Sequence, residues 1–180
     1  MSDFITTYSK VKFYPLEPRP EDVRLTDIAH ALSLMTRANG HIVHFFSVGQ
    51  HCVNCALEAG ARGLSRRIQL GCLVHDASEC YLSDITRPVK RNLPHYLETE
   101  SRIMEMLYAH FGLGDLTAQE LEAIAEIDDA MLYEEFIALK GHPPEGIAKP
   151  RIAMQHDFSL RPFEAVERQY LRLYEALQLK

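Results

Sequence analysis

The sequence predicts an all-α, single-domain bundle of about six main helices, and three observations carry that prediction. Apolar residues recur at helical spacing in six separate stretches. No run alternates apolar and polar residues over strand length. Gly or Pro punctuates most joints between the periodic stretches. The 180 residues suffice for one well-buried core and are few for two. Neither an internal repeat nor a shift in composition marks a boundary, so one domain over residues 1–180 is expected.

Residues 1–20 hold Pro15, Pro18 and Pro20 beside Phe4, Phe13, Tyr14 and Leu16, which suits an extended arm that lays its aromatics on the body. A first helix is expected over 22–38, where Ile28, Leu32 and Met35 share a stripe and Asn39-Gly40 provides the stop. A second covers 47–61, with Val48, His51, Cys52, Cys55 and Ala59 on one side. A third begins near Ser65, carries Ile68, Cys72, Val74, His75 and Ala77, and ends by Tyr81 before a loop over 82–88. Pro94 suits the first turn of a fourth helix, which reaches Phe111 before Gly112 breaks it. Thr117-Ala-Gln-Glu120 is a capping-box pattern opening a fifth helix, along which Leu121, Ile124, Ile127, Met131 and Leu132 keep helical spacing to about Lys140. Residues 141–161, with Gly141, Pro143, Pro144, Gly146 and Pro150, form an irregular segment, and a C-terminal helix follows over 162–178.

Hydrophobic residues make up 47% of the chain and charged residues 24%, which fits a domain that folds unaided. The formal charge of −6 repels duplex nucleic acid, so a polyanion-coating role is disfavoured; a small anion needs cations of its own within a Debye length of roughly 8 Å. The N-terminus has no basic stretch leading into an apolar one, and no eighteen apolar residues run together. A cytoplasmic location and no membrane partner are therefore expected. Cys52, Cys55, Cys72 and Cys80 lie in helix-periodic stretches and are expected as reduced packing thiols. The Cys52-Val-Asn-Cys55 spacing admits a metal or redox reading, but no second pair matches it and the core stripe accommodates it equally well.

The inward stripe of a helix should be apolar, so each polar residue on it needs a partner. His51 shares the stripe of Val48, Cys52 and Cys55. Taken alone, it is more simply a core histidine satisfied by a backbone carbonyl. Cys72, His75, Asp76 and Glu79 follow the i, i+3, i+4, i+7 rule, which sets an imidazole and two carboxylates on one face. Burying those carboxylates without a cation costs several kcal/mol, so the face is either solvated or faces a metal or a basic residue. In the fifth helix Leu121, Ala125, Asp128, Leu132 and Leu139 lie on one side, which turns Asp128 inward and Asp129 outward. Three helices thus direct nitrogen and carboxylate ligands (His51, His75, Asp76 and Asp128) toward one interior, a mixed set suited to one divalent ion among Mn, Fe, Co, Ni, Zn and Mg. The His156-Asp157 pair lies in a Pro-flanked segment without a helical stripe and reads as structural.

With His51, then Cys-Leu-Val-His75-Asp76-Ala-Ser-Glu79, then Asp128, the chain resembles the HD-domain metal-dependent phosphohydrolases, whose signature is H…HD…D. The resemblance covers most of residues 24–140. It is nearest to the 5′-deoxynucleotidase-like branch, through Gln50-His51, His75-Asp-Ala-Ser-Glu79 and Asp84-Ile-Thr-Arg-Pro-Val-Lys90. It implies a divalent ion on His51, His75, Asp76 and Asp128, with Glu79 and Asp84 beside the scissile phosphate and Arg37 as the phosphate-proximal arginine. Where that branch has an aromatic directly after the arginine, this chain has Ala38-Asn-Gly-His41, so the sugar contact does not carry over.

A divalent ion acidifies water and polarises a phosphoryl oxygen, and cations stabilise the charge that spreads over the transferred group. Arg37, Lys90 and Arg87 suit the second role; apart from the metal motif, Arg87, Lys90 and Arg91 would read as a solvated basic loop. Glu79 is placed to orient or deprotonate the attacking water and Asp84 to protonate the leaving oxygen, an assignment the sequence does not fix. His41 and His44 are equally readable as substrate contacts, extra ligands or exposed side chains. No Gly-x-Ser-x-Gly elbow and no phosphate-cradling Gly-rich loop competes. The expected substrate is a small phosphorylated molecule, a nucleoside monophosphate or triphosphate. The competing readings are a non-catalytic sensor or interaction module clipped by its metal, and a di-iron oxidase needing further histidine ligands. The broad apolar faces of the fourth and last helices suit a homodimer.

Overall fold

The computed structural model describes residues 3–178, and its architecture is all-α apart from one small hairpin. Six long helices, α1 (Leu25–Leu34), α2 (Val48–Ala61), α3 (Arg66–Val74), α6 (Pro94–His110), α7 (Ala118–Lys140) and α8 (Phe163–Leu177), are joined by two four-residue helices, α4 (Glu79–Leu82) and α5 (Arg87–Lys90). Local signals set the starts. Ser47 and Ser65 each accept a hydrogen bond from a backbone N–H three residues on, and Thr117 and Glu120 close a full capping box. Gly141 ends α7 in the left-handed conformation at φ 79°.

Helix α2 is central: α1, α3, α7 and α8 all pack on it, and nearly every residue from Val48 to Ala59 is buried. An all-round buried helix should be apolar, yet this one carries Gln50, His51, Asn54 and Glu58, so each needs a partner inside the protein. Gln50 donates to the carbonyls of Asp157 and Ser159, and Asn54 to that of Asp157, which fastens the irregular segment between α7 and α8 onto the bundle. Glu58 accepts from Arg62 and from the Ala153 amide at 2.8 Å each, and its second oxygen meets His156 Nε2 at 2.9 Å. The structural reading of His156 therefore holds. Gly71 stands where a Cβ would run into the Ile124 side chain, so its lack of one lets α3 approach α7 closely.

Four expectations need correcting. The N-terminal arm contains two strands, β1 (Ile5–Thr6) and β2 (Lys12–Phe13), paired antiparallel. Its anchor is nevertheless aromatic, with Phe13 fully buried and stacked on Tyr81 at 3.6 Å. The first helix stops at Leu34 rather than Ala38, because the backbone finds partners across the chain: Arg37 N donates to Phe46 O, Val48 N donates to Met35 O, and Thr36 bridges Ser47. The third helix does not run through to Tyr81. It ends at Val74, and residues 75–78 form tighter turns with Ala77 N donating to Val74 O and Glu79 N to Asp76 O before α4 resumes. Finally, α5 begins at Arg87, within the expected loop. Among the described residues, no helix is long and apolar enough to cross a membrane.

Candidate metal centre and its cavity

Helix α2 supplies His51, whose side chain is fully buried, and the turn after α3 supplies His75 and Asp76. Helix α7 supplies Asp128. The four side chains converge. His51 Nε2 lies 3.3 Å from His75 Nε2, 3.1 Å from Asp128 Oδ1 and 3.7 Å from Asp76 Oδ2. His75 Nε2 lies 3.3 Å from Asp76 Oδ2 and 3.7 Å from Asp128 Oδ1. Ligand bonds of about 2.0–2.2 Å give coordination-shell edges of about 2.8–3.6 Å, so the spacing of these donors suits one small divalent ion. Both imidazoles present Nε2 to the common point because their Nδ1 atoms are engaged elsewhere. His75 Nδ1 is 2.7 Å from Cys72 O, and His51 Nδ1 is 2.5 Å from Glu135 Oε1. Such a second contact fixes the tautomer and orientation of a ligating histidine.

Glu135 is the residue that sequence reasoning missed. It is buried, and its other oxygen faces Arg37 Nε at 3.4 Å, while Arg37 Nη1 reaches Asp76 Oδ2 at 3.4 Å. The available signal was its spacing, seven residues beyond Asp128 and so on the same face of α7. The apolar pattern of that helix holds except at Leu121, whereas the side assigned to Asp128 is less buried than expected. Ile124, Ile127 and Met131 fill the core and Leu121 is exposed, while Asp128 sits at the stripe's edge and Asp129 faces solvent.

The charges of the cluster shift one another's proton affinities. Burial opposes the charged form of His75, but Asp76 and Asp128 overcome it and hold the imidazole well above its ordinary value. His51 is likewise raised against burial and against Arg37, by Cys55, Glu135 and Asp128. Burial also opposes the Asp128 anion, yet hydrogen bonds from the two imidazoles hold it well below the carboxylate range. Cys55 with His51 and His75, and Cys52 with His75 and Asp76, also bring ligand atoms within 4.8 Å of one another. Burial raises Cys52 despite the nearby imidazoles, which disfavours the thiolate a metal needs. The four-ligand set with two carboxylates is the better fit to a hard or borderline ion.

The cluster opens into a cavity of about 370 Å³, which Arg37, Asp76, Glu79, Asp84, Arg87, Lys90 and Asp128 line on the polar side. Burial, then Asp76 and Asp84, push Glu79 well above the carboxylate range against Arg37 and Lys90. Asp84 is raised by burial and Asp76, with Arg37 opposing. Arg87 lines the wall, and its guanidinium pairs with Asp128 at 2.8 Å and Asp129 at 2.7 Å. Lys90 holds Glu100 at 2.6 Å. His41 is exposed and does not reach the cavity wall, where Ala38 and Ile42 stand instead; His44 contacts the Phe45 carbonyl through Nδ1. The reason lies in the turn after Arg37. Ala38 and Asn39 both sit at φ 51°, a left-handed conformation that costs a residue other than glycine about 1 kcal/mol, and it turns the chain so that Ala38 rather than the later histidine faces inward.

No family model matches the chain. Over 110 residues it is 37% identical to an uncharacterized protein of Escherichia coli, YfdR, a match covering 61% of this chain and 59% of that protein. Over 104 residues it is 36% identical to an uncharacterized protein of Rhodobacter capsulatus, covering 54% and 53%. The chain thus spans between about half and three-fifths of the curated relatives it matches.

Proposed function

We propose that this protein is a divalent-metal-dependent phosphohydrolase acting on a nucleotide. The observation that supports this reading most is the convergence of two imidazole Nε2 atoms with the carboxylates of Asp76 and Asp128, all within 3.1–3.7 Å of a histidine nitrogen, where the two carboxylates line a ligand-sized cavity. His51, His75, Asp76 and Asp128 would hold the ion. When bound, it supplies Lewis acidity that acidifies water and polarises a phosphoryl oxygen.

The remaining residues do the positioning and the proton work. Arg37 stands between Asp76 and Glu135 at the edge of the cluster, where its fixed charge meets the oxygens of a phosphoryl group. Burial opposes its charge, but Glu135 and Asp76 keep it firmly protonated. Burial and the neighbouring Asp76 raise both Glu79 and Asp84 above their ordinary values, which favours a shared proton on this pair beside the cavity. Delivering it to the leaving oxygen is the general-acid step. Lys90, with Glu100 behind it, sets a second cation on the same wall.

A panel of nucleoside mono- and triphosphates incubated with Mn, Co, Mg, Zn, Ni or Fe should release phosphate, and chelator should abolish the release. A screen with no turnover under any metal, while the chain binds one ion, would instead favour a metal-clipped interaction module.

A further inference from the structure

One face of α7 runs the length of the cavity. Asp128, Leu132, Glu135, Phe136, Leu139 and Lys140 all line it, at offsets of four, seven, eight, eleven and twelve residues from Asp128, which is one side of a helix. At a rise of about 1.5 Å per residue, Phe136 lies about 12 Å and Lys140 about 18 Å along the helix from Asp128. Chemistry changes along this line. Asp76 and Arg87 stand at the Asp128 end, Arg37 and Glu135 follow along the helix, and Phe136 and Leu139 lie beyond them beside Ile42. The loop carrying Ile42 is tied to the distal end, because the next amide, Val43 N, donates to Leu139 O at 3.0 Å.

The four cations on the cavity wall are not equivalent. Arg37 is paired with Asp76 and Glu135, Arg87 with Asp128 and Asp129, and Lys90 with Glu100. Among the described residues, Lys140 has no carboxylate within 4.0 Å; its Nζ instead stands 4.9 Å from the centre of the Phe136 ring. Helix side chains lean toward the N-terminus, which brings this ammonium back over the apolar compartment. The ammonium lies over the half-buried Phe136 ring with no carboxylate holding it, so a flat ring stacked on Phe136 takes that face and leaves the ammonium at its rim.

We infer that Lys140 reads the far edge of a base stacked on Phe136, favouring bases that carry an oxo group there over those that carry an amino group. The inference rests on the hydrolase reading for its orientation: a phosphoryl group held at the imidazole end leaves the sugar and then the base to extend along α7. An ammonium only donates hydrogen bonds. It therefore complements the oxo group at the distal edge of hypoxanthine, guanine, uracil or thymine, and it faces a second donor when adenine or cytosine occupies the compartment.

The test uses the full chain with divalent ion supplied and, as probes, the unphosphorylated nucleosides inosine, adenosine, uridine and cytidine, so that recognition is read by titration without turnover. Inosine should bind about ten-fold tighter than adenosine, and uridine about ten-fold tighter than cytidine, as for one charge-assisted hydrogen bond gained in place of an unpaired donor. Lys140→Met, which keeps the aliphatic stem, should bring both ratios close to unity. Phe136→Leu should weaken all four nucleosides alike. Equal binding within each pair, ratios that survive Lys140→Met, or no nucleoside binding at millimolar concentration would overturn the inference. Turnover of the corresponding 5′-monophosphates separates the two claims. Hydrolysis without an oxo preference defeats this inference alone, whereas an oxo preference without hydrolysis defeats the hydrolase reading and leaves the recognition standing.

Discussion

Helix α2 carries two buried clusters of similar composition seven residues apart, and they differ in what their charges face. At Glu58 a carboxylate meets Arg62, His156 and a backbone amide, so both oxygens are satisfied and the cluster ties residues 151–156 to the bundle. At His51 the balance is reversed. Two imidazoles face Asp76, Asp128 and Glu135, and the cluster opens on a cavity. A histidine, an arginine and a carboxylate thus make a clamp where the partners exhaust one another, and a candidate reactive centre where anions converge on a point open to a ligand.

That contrast is open to attack at either cluster. The largest effect is expected from His75→Ala and Asp76→Ala, which should reduce nucleotide turnover by at least about 10³-fold in a phosphate-release assay while leaving most of the thermal stability of the metal-free protein. Glu58→Ala should do the opposite. Leaving Arg62 and His156 without their buried partner costs about 3–5 kcal/mol, read as a fall of about 10 °C in Tm, with turnover per folded molecule close to wild type. A loss of turnover in Glu58→Ala larger than the loss of folded protein would erase the distinction between clamp and centre. Glu135→Gln removes the carboxylate charge that orients His51 and also faces Arg37, and should weaken metal binding by roughly 10–100-fold, measured by competition with a chelating dye.

Acidity sharpens the comparison further. In the metal-free protein His51 and His75 are raised above the ordinary histidine value, so their contribution is fully present below about pH 6.5 and is lost as pH rises through the higher folded-state values. Asp128 is depressed, so the same contacts are also lost in acid, once pH falls below the carboxylate range. Metal-free protein should therefore lose stability above about pH 6.5, and divalent ion should reverse that loss, because it displaces the imidazolium protons. Thermal melts across neutral pH with and without metal check both signs. An identical pH dependence in the two states would contradict the exchange of protons for metal.

Much of the fold was legible in the sequence because helix periodicity, capping pairs and Gly or Pro stops act locally. Thr117-Ala-Gln-Glu120 opens α7 as expected, and Pro94 opens α6. The failures share a cause. The first helix ends early because Arg37 and Met35 find backbone partners across a loop, and nothing within residues 22–38 reports on Phe46 or Val48. The break at residues 75–78 is of the same kind; the face assigned to Cys72, His75, Asp76 and Glu79 assumed an unbroken helix, yet the turn still directs His75 and Asp76 to the cluster. Asp128 was distinguishable from Asp129 by stripe, whereas Glu135 was passed over because one buried glutamate on a helix rich in acidic residues carries little local signal. Its role depends on His51 and Arg37, 84 and 98 residues away in the chain.

The central claim is that donors from α2, from the turn after α3 and from α7 hold one ion together. Calorimetric titration of the chelator-treated chain with Mn, Co or Zn tests it directly. The account predicts one ion per chain, with binding lost in both His75→Ala and Asp128→Ala although both variants remain folded. Unchanged affinity in those two variants, or no binding by the wild type, would contradict it.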